Sequence, residues 1–167
     1  MNKVHLVFGP QGSGKSTYSK KLAEQVNGVH MSIDEWMWGL YGMDLPKPMN
    51  LNWIMERVKR CEKRIWEMTK QISICGGNVV LDLGFMKVKN RELFLTLAEE
   101  QNILTQLHYI DASLSIRRKR VLERNNEKGE TFSFEVTPVM FDFMENEFEK
   151  PTKIELKKSL LIDTTSI

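Results

Sequence analysis

Val4-His5-Leu6-Val7-Phe8-Gly9-Pro10-Gln11-Gly12-Ser13-Gly14-Lys15-Ser16-Thr17 joins an apolar run to a glycine-rich segment and then to a helical pattern. Val4, Leu6, Val7 and Phe8 predict a buried strand, and Gly9 to Thr17 spell G-x-x-x-x-G-K-[ST], the phosphate-binding loop. The three glycines Gly9, Gly12 and Gly14 let backbone N–H groups of the loop, including those at Gln11 and Ser13, turn toward an anion. A helix that starts there adds unpaired N–H donors and about half a unit of positive charge. Lys15 is expected at the β- and γ-phosphates, the Ser16 hydroxyl on a bridging Mg²⁺, and Thr17 supplies a second hydroxyl nearby.

Downstream, Tyr18, Leu22, Ala23 and Val26 recur at helical spacing as far as Asn27-Gly28, predicting a helix over about residues 15 to 27. Val29 to Ile33 predicts a short strand ending at Asp34. Residues 35 to 50 carry Trp36, Trp38, Leu40 and Tyr41, broken by Gly39, Gly42, Pro46 and Pro48, and are expected to be irregular. Ile54, Val58, Cys61, Ile65, Met68 and Ile72 then step by four and three, predicting one long amphipathic helix that Gly76-Gly77 ends. Its heptad-like run is too short for a coiled coil, so core packing explains it.

Val79 to Asp82 is a continuous apolar strand closed by a carboxylate, and a helix follows whose apolar positions include Leu93, Phe94, Leu97 and Ala98. Gln106 to Asp111 gives a fourth strand, and Ser113 to about Asn125 an arginine-rich helix. Glu127 to Glu130 reads as an exposed loop, Val136 to Phe148 as a helix and Ser159 to Asp163 as a last strand. Apolar strands alternating with helices predict an α/β fold, a parallel sheet covered on both faces.

The 167 residues suit one domain, 1–167, with a lid at about 113–133 and an acceptor-side region at about 34–75. A net charge of +2 with 28% charged residues gives no bulk argument for nucleic acid or membrane. No apolar run approaches the ~20 residues of a membrane span. Cys61 and Cys75 have neither disulfide-framework nor metal-ligand spacing, which fits a reducing cytoplasm. His5, His30 and His108 are scattered through strands and read as satisfied sheet residues.

In open α/β sheets, ligands bind at the carboxyl ends of the strands. Asp34 and Asp82 both fall there, on the edge that carries the phosphate loop. Asp82 suits the metal side, and Asp34 suits a base that takes the proton of an attacking hydroxyl. Either aspartate could instead be a strand-end turn residue. Arg117, Arg120 and Arg124 share a helix face and suit the dispersed charge of a phosphoryl group in transfer. A solvated basic face is the plainer reading of the three. Arg91, a lone arginine at a helix start, is expected to be exposed.

These residues together resemble the zeta-toxin-like and chloramphenicol-phosphotransferase-like P-loop kinases, a branch similar to polynucleotide 5′-hydroxyl kinases and gluconate kinase. The resembling blocks are Gly9 to Thr17, Ser32 to Glu35, Val79 to Phe85, Arg91, Tyr109 to Asp111, Arg117 to Asn125 and Phe148 to Pro151. The resemblance implies a P-loop NTPase three-layer sandwich with a five-stranded parallel sheet of order 2-3-1-4-5 and an Arg-rich lid. It also implies ATP with Mg²⁺, a catalytic aspartate at Asp34, and lid arginines within Arg117 to Arg124. Polynucleotide kinases of this branch place an arginine three residues beyond that aspartate, where this chain has Met37, so a nucleic-acid acceptor is not favoured.

The expected activity is transfer of the γ-phosphoryl group of Mg-ATP to a hydroxyl of a small molecule. A nucleotide or polynucleotide hydroxyl kinase, a toxin-type kinase and a regulatory nucleotide switch are the alternatives. Against a GTPase, the sequence lacks an Asn/Thr-Lys-x-Asp motif. Neither the acceptor's identity nor the oligomeric state is legible in the residues.

Overall fold

The structure is a computed structural model that describes residues 2–127 and 136–166. Strand β1, Val4–Phe8, is buried along its whole length and sits at the centre of the sheet. The chain continues through helix α1 (Lys15–Gln25), strand β2 (Gly28–Ser32), helix α2 (Ile33–Tyr41), a single 3-10 turn at Gly42–Asp44, and helix α3 (Leu51–Ile74). Strand β3 (Asn78–Asp82), helix α4 (Val88–Glu100), strand β4 (Thr105–Asp111) and helix α5 (Leu114–Glu127) follow. Helices α6 (Pro138–Glu147) and α7 (Lys153–Lys158) lead into strand β5 (Ser159–Asp163).

The sheet is parallel throughout and runs β2-β3-β1-β4-β5, the expected order 2-3-1-4-5. Alternation along β1 divides the core. Val4, Leu6 and Phe8 face the cluster that includes Ile65, Trp66 and Phe94 from α3 and α4, while Val7 faces Leu22 and Ala23 of α1. This period-two division is what lets one strand feed two helical layers.

Residues 35 to 50 depart from the irregular segment expected of them. The Ser32 side chain accepts from Glu35 N at 3.3 Å and caps a helix that runs through Gly39 to Tyr41. Ser32 followed three residues later by Glu35 is a start signal of the capping-box kind, and it outweighs one interior glycine. Asp34 is therefore the second residue of α2, not the last residue of a strand.

Arg91 is also corrected: it is fully buried. Its Nε and Nη2 meet the Glu155 carboxylate at 2.5 and 3.1 Å, Nη1 donates to Phe85 O at 2.9 Å, and its guanidinium lies 4.7 Å from the Phe8 ring centroid. Arg91 thus ties α4 to α7 behind the end of β1, and a capping box between Thr152 and Glu155 fixes the carboxylate. Of the apolar positions of α4, Phe94 and Ala98 are buried while Leu93 is 55% exposed. The loop expected at 127–130 and the tip of the lid expected at 113–133 fall largely outside the described residues.

Candidate active site

The loop after β1 is shaped by close backbone approaches. At Gly12, φ is +77°, and a Cβ would stand 2.5 Å from the Arg117 carbonyl oxygen. At Gly14, φ is +88°, and this left-handed residue is the N-cap of α1 with no side-chain capping bond. Both conformations suit glycine. Absence of a side-chain cap leaves the first-turn N–H groups of α1 to an outside acceptor, the arrangement a phosphate fits.

The loop's own carbonyls are taken up by the protein. Pro10 O accepts from Lys15 Nζ at 2.9 Å, Gln11 O from Arg117 Nη1 at 3.2 Å, and Ser13 O from Thr164 Oγ1 at 2.7 Å. Three of the loop's acceptors are thus held by side chains, and Ser13 N turns back on Pro10 O at 3.3 Å. Burial holds the Lys15 ammonium below the ordinary lysine range, against the raising effect of Asp82 and Asp34. Ser16 is partly exposed and Thr17 exposed at the start of α1.

β3 lies beside β1 with β2 beyond it, so Asp82 and the start of α2 stand on the same side of the loop. Ser32 is paired in register with Asp82. Asp82 is 5% exposed, and its Oδ2 is buried with no hydrogen-bond partner among the described residues. His30 Nε2 stands 3.6 Å from that oxygen, too far for a hydrogen bond, and is likewise buried and unpartnered. A buried carboxylate oxygen without a donor fits a hard cation or its bound waters, so the Asp82 and Ser16 pair suits Mg²⁺.

Asp34 has an exposed residue surface, yet the chain around its carboxyl group excludes enough water to push it above the ordinary aspartate range. Asp82 adds to that shift, while Lys15 and Arg124 oppose it. Asp34 thus lies near enough to Asp82, Lys15 and Arg124 to feel their charge.

The three arginines divide. Arg117 is buried, bonded to Glu145 at 2.5 and 2.8 Å and to Ala112 O at 3.0 Å, besides its contact with the loop at Gln11. Arg120 donates to Thr164 Oγ1 at 3.0 Å and to Thr164 O at 2.5 Å, and Thr164 in turn holds Ser13. Arg124 Nε is buried with no hydrogen-bond partner among the described residues, and burial lowers the guanidinium's proton affinity while Asp34 raises it. Thr164 and Glu145 went unread in the sequence. Neither lies in a motif, and only their spatial return to the loop gives them a role.

His5 Nδ1 meets His108 Nε2 at 2.9 Å and Tyr18 Oη meets His108 Nδ1 at 2.8 Å, a polar chain under α1. Burial, then the neighbouring His5 and Lys3, lower His108 to about 4. A shallow cavity lined by Lys70, Ser73, Gln101 and Leu104 lies at the amino ends of the strands, away from this cleft.

A parallel sheet of order 2-3-1-4-5 with the glycine-rich loop feeding α1 and acidic residues beyond the neighbouring strands defines a P-loop nucleoside-triphosphatase fold. Residues 4–151 match the AAA_33 family, an AAA domain, and the chain belongs to that family.

No curated protein matches the sequence. Among solved structures, the fold is similar to Kti12 of Chaetomium thermophilum in complex with ADP-AlF3, at TM-score 0.71 and 16% identity over 98% of this chain and 89% of that one. It is similar to a sugar kinase from Janibacter sp. HTCC2649, at TM-score 0.66 and 14% identity over 98% and 86%. The APS kinase CysC of Mycobacterium tuberculosis, in complex with AMPPNP and APS, gives TM-score 0.65 and 16% identity over 98% and 88%.

Proposed function

We propose that the protein is an ATP-dependent phosphotransferase acting on a hydroxyl of a small molecule. The observation that carries this reading is the phosphate loop feeding an α1 without a side-chain cap, with the buried Asp82 Oδ2 at the end of the neighbouring strand β3. Arg124 Nε, like that oxygen without a hydrogen-bond partner among the described residues, completes the charged groups that act on Asp34. The nucleotide-bound states of similar folds, with AMPPNP and with ADP-AlF3, support an adenine nucleotide on that loop.

In the proposed reaction the acceptor oxygen forms a bond to the γ-phosphorus as the bridging β–γ P–O bond breaks. ADP leaves with the electron pair, and the hydroxyl proton passes to the Asp34 carboxylate. A carboxyl group held above the ordinary range is a better base than a fully solvated aspartate. Lys15 exchanges its bond to Pro10 O for phosphate oxygens, and Arg124, which has donors to offer, meets the charge of the transferring group.

Ser16 and Asp82 would hold Mg²⁺, which screens phosphate charge when bound. Arg117 and Arg120 act chiefly by fixing the loop, through Gln11 O and through Thr164. The free thiols of Cys61 and Cys75 suit a reducing, cytoplasmic setting.

The test is ADP release from ATP across a panel of alcohols, comparing wild type with Lys15→Ala and Asp34→Asn. One acceptor should stimulate release in wild type, with losses of about a hundredfold or more in both variants. An Asp34→Asn enzyme that transfers at the wild-type rate removes Asp34 as the base.

A further inference from the structure

Asp34 and Trp38 are four residues apart on α2, one turn along one helix face, and both are exposed. Ile33, Trp36, Met37 and Tyr41 of the same helix pack toward the core, Tyr41 at its last turn. The Trp38 indole lies against Gly42, where a Cβ would come within 2.9 Å of its ring atoms, and the residue remains 61% exposed. Beyond it Leu40, Met43, Met49 and Leu51 are exposed as well. An exposed indole one turn from a carboxylate offers an apolar face to a ligand that reaches that carboxylate.

The far end of this surface carries a fixed cation. Tyr41 meets Trp53 edge-on at 6.1 Å, and the Arg57 guanidinium carbon stands 3.6 Å from the Trp53 centroid and 5.7 Å from that of Tyr41. Arg57 Nη1 donates to Trp53 O at 3.1 Å, Nε is buried with no hydrogen-bond partner among the described residues, and the nearest carboxylate, exposed Glu56, is 3.6 Å away. Aromatic rings hold this guanidinium in place, and its ion pair with the exposed Glu56 is one that solvent screens. From Asp34 to Tyr41 the helix rises about 10 Å.

We infer that the acceptor is an alcohol with an apolar or aromatic body and an acidic group at its far end. Its hydroxyl meets Asp34, its body lies over Trp38, and its acidic group pairs with Arg57. The inference rests on the phosphotransferase reading and specifies its substrate class. A polyol is a poor match: it needs several convergent donors and acceptors, and Trp38, Leu40 and Met43 offer one N–H and one weakly accepting sulfur.

Transfer rates measured with para-(hydroxymethyl)phenylacetate, para-ethylbenzyl alcohol, gluconate and glucose test it. The aromatic hydroxy acid should have the lowest KM. Trp38→Ala should raise KM for both aromatic alcohols by roughly tenfold with a smaller change in kcat, and Trp38→Phe should restore most of the loss. Arg57→Gln should raise KM for the hydroxy acid by roughly tenfold and move that of the neutral alcohol by less than about threefold.

A lower KM for gluconate or glucose, no transfer to either aromatic alcohol, or KM values indifferent to both substitutions would overturn the inference. The kinase itself would still stand if any alcohol in the wider panel received phosphate. It falls only if none does.

Discussion

Around Gly9 to Ser16 the backbone carbonyls are already spoken for, while from Trp38 to Leu51 large apolar side chains face water. On the loop side, Lys15, Arg117 and Thr164 hold the carbonyls of Pro10, Gln11 and Ser13. On the proposed acceptor side, Met43 is 99% exposed and Trp38 61% exposed. The frame thus fixes the phosphate-loop motif before any ligand arrives, whereas the proposed acceptor surface presents side chains that a ligand would order on binding.

Glycine substitutions sharpen this contrast most. Gly12→Ala forces a Cβ to 2.5 Å from the Arg117 carbonyl at a left-handed φ, so ATP affinity should fall by about 2–4 kcal/mol, some thirtyfold to a thousandfold, by calorimetric titration. Gly39→Ala, inside α2 with no atom within 4 Å of the new Cβ, should raise stability by about 0.5–1 kcal/mol in a urea melt. Equal effects at the two glycines would break the comparison.

A smaller effect lies under α1. His108 is held neutral in the fold, at about 4, against 6.5 for an ordinary histidine, so the unfolded chain binds its proton first. Its contribution to stability is complete above pH 6.5 and is lost as pH falls from 6.5 toward 4. The total loss is at most about 3 kcal/mol for a shift of that size. Urea melts of wild type and His108→Gln from pH 8 to pH 4 should show the wild type falling more steeply. Parallel curves would remove His108 as the source.

Much of the frame was legible because it obeys local rules. Strand, loop and helix follow in the order the phosphate motif needs, and Val79 to Asp82 is apolar enough to be a central strand. The sheet order came from the family resemblance, since no run of residues encodes which strand neighbours which. α2 was missed although Ser32 and Glu35 spelled its start, because Gly39 and Gly42 were weighed as breaks.

Arg91 was missed for a different reason. Its burial depends on Glu155, 64 positions away, and on the Phe8 ring, so nothing beside it in the sequence distinguishes it from a solvated arginine. Arg117 and Arg120 share a face with Arg124 as the spacing required. Which of the three has donors to spare depends on Glu145 and Thr164, and both return to the loop from distant parts of the chain.

The most direct measurement follows the γ-phosphoryl group itself. ATP labelled at that phosphorus is incubated with the protein, Mg²⁺ and the acceptor panel, and the label is traced to an alcohol or to inorganic phosphate. The account predicts label on the hydroxyl of one acceptor class, abolished in Asp34→Asn and Lys15→Ala. Label that reaches only inorganic phosphate, whatever alcohol is present, would contradict a phosphotransferase and leave a nucleotide hydrolase in its place.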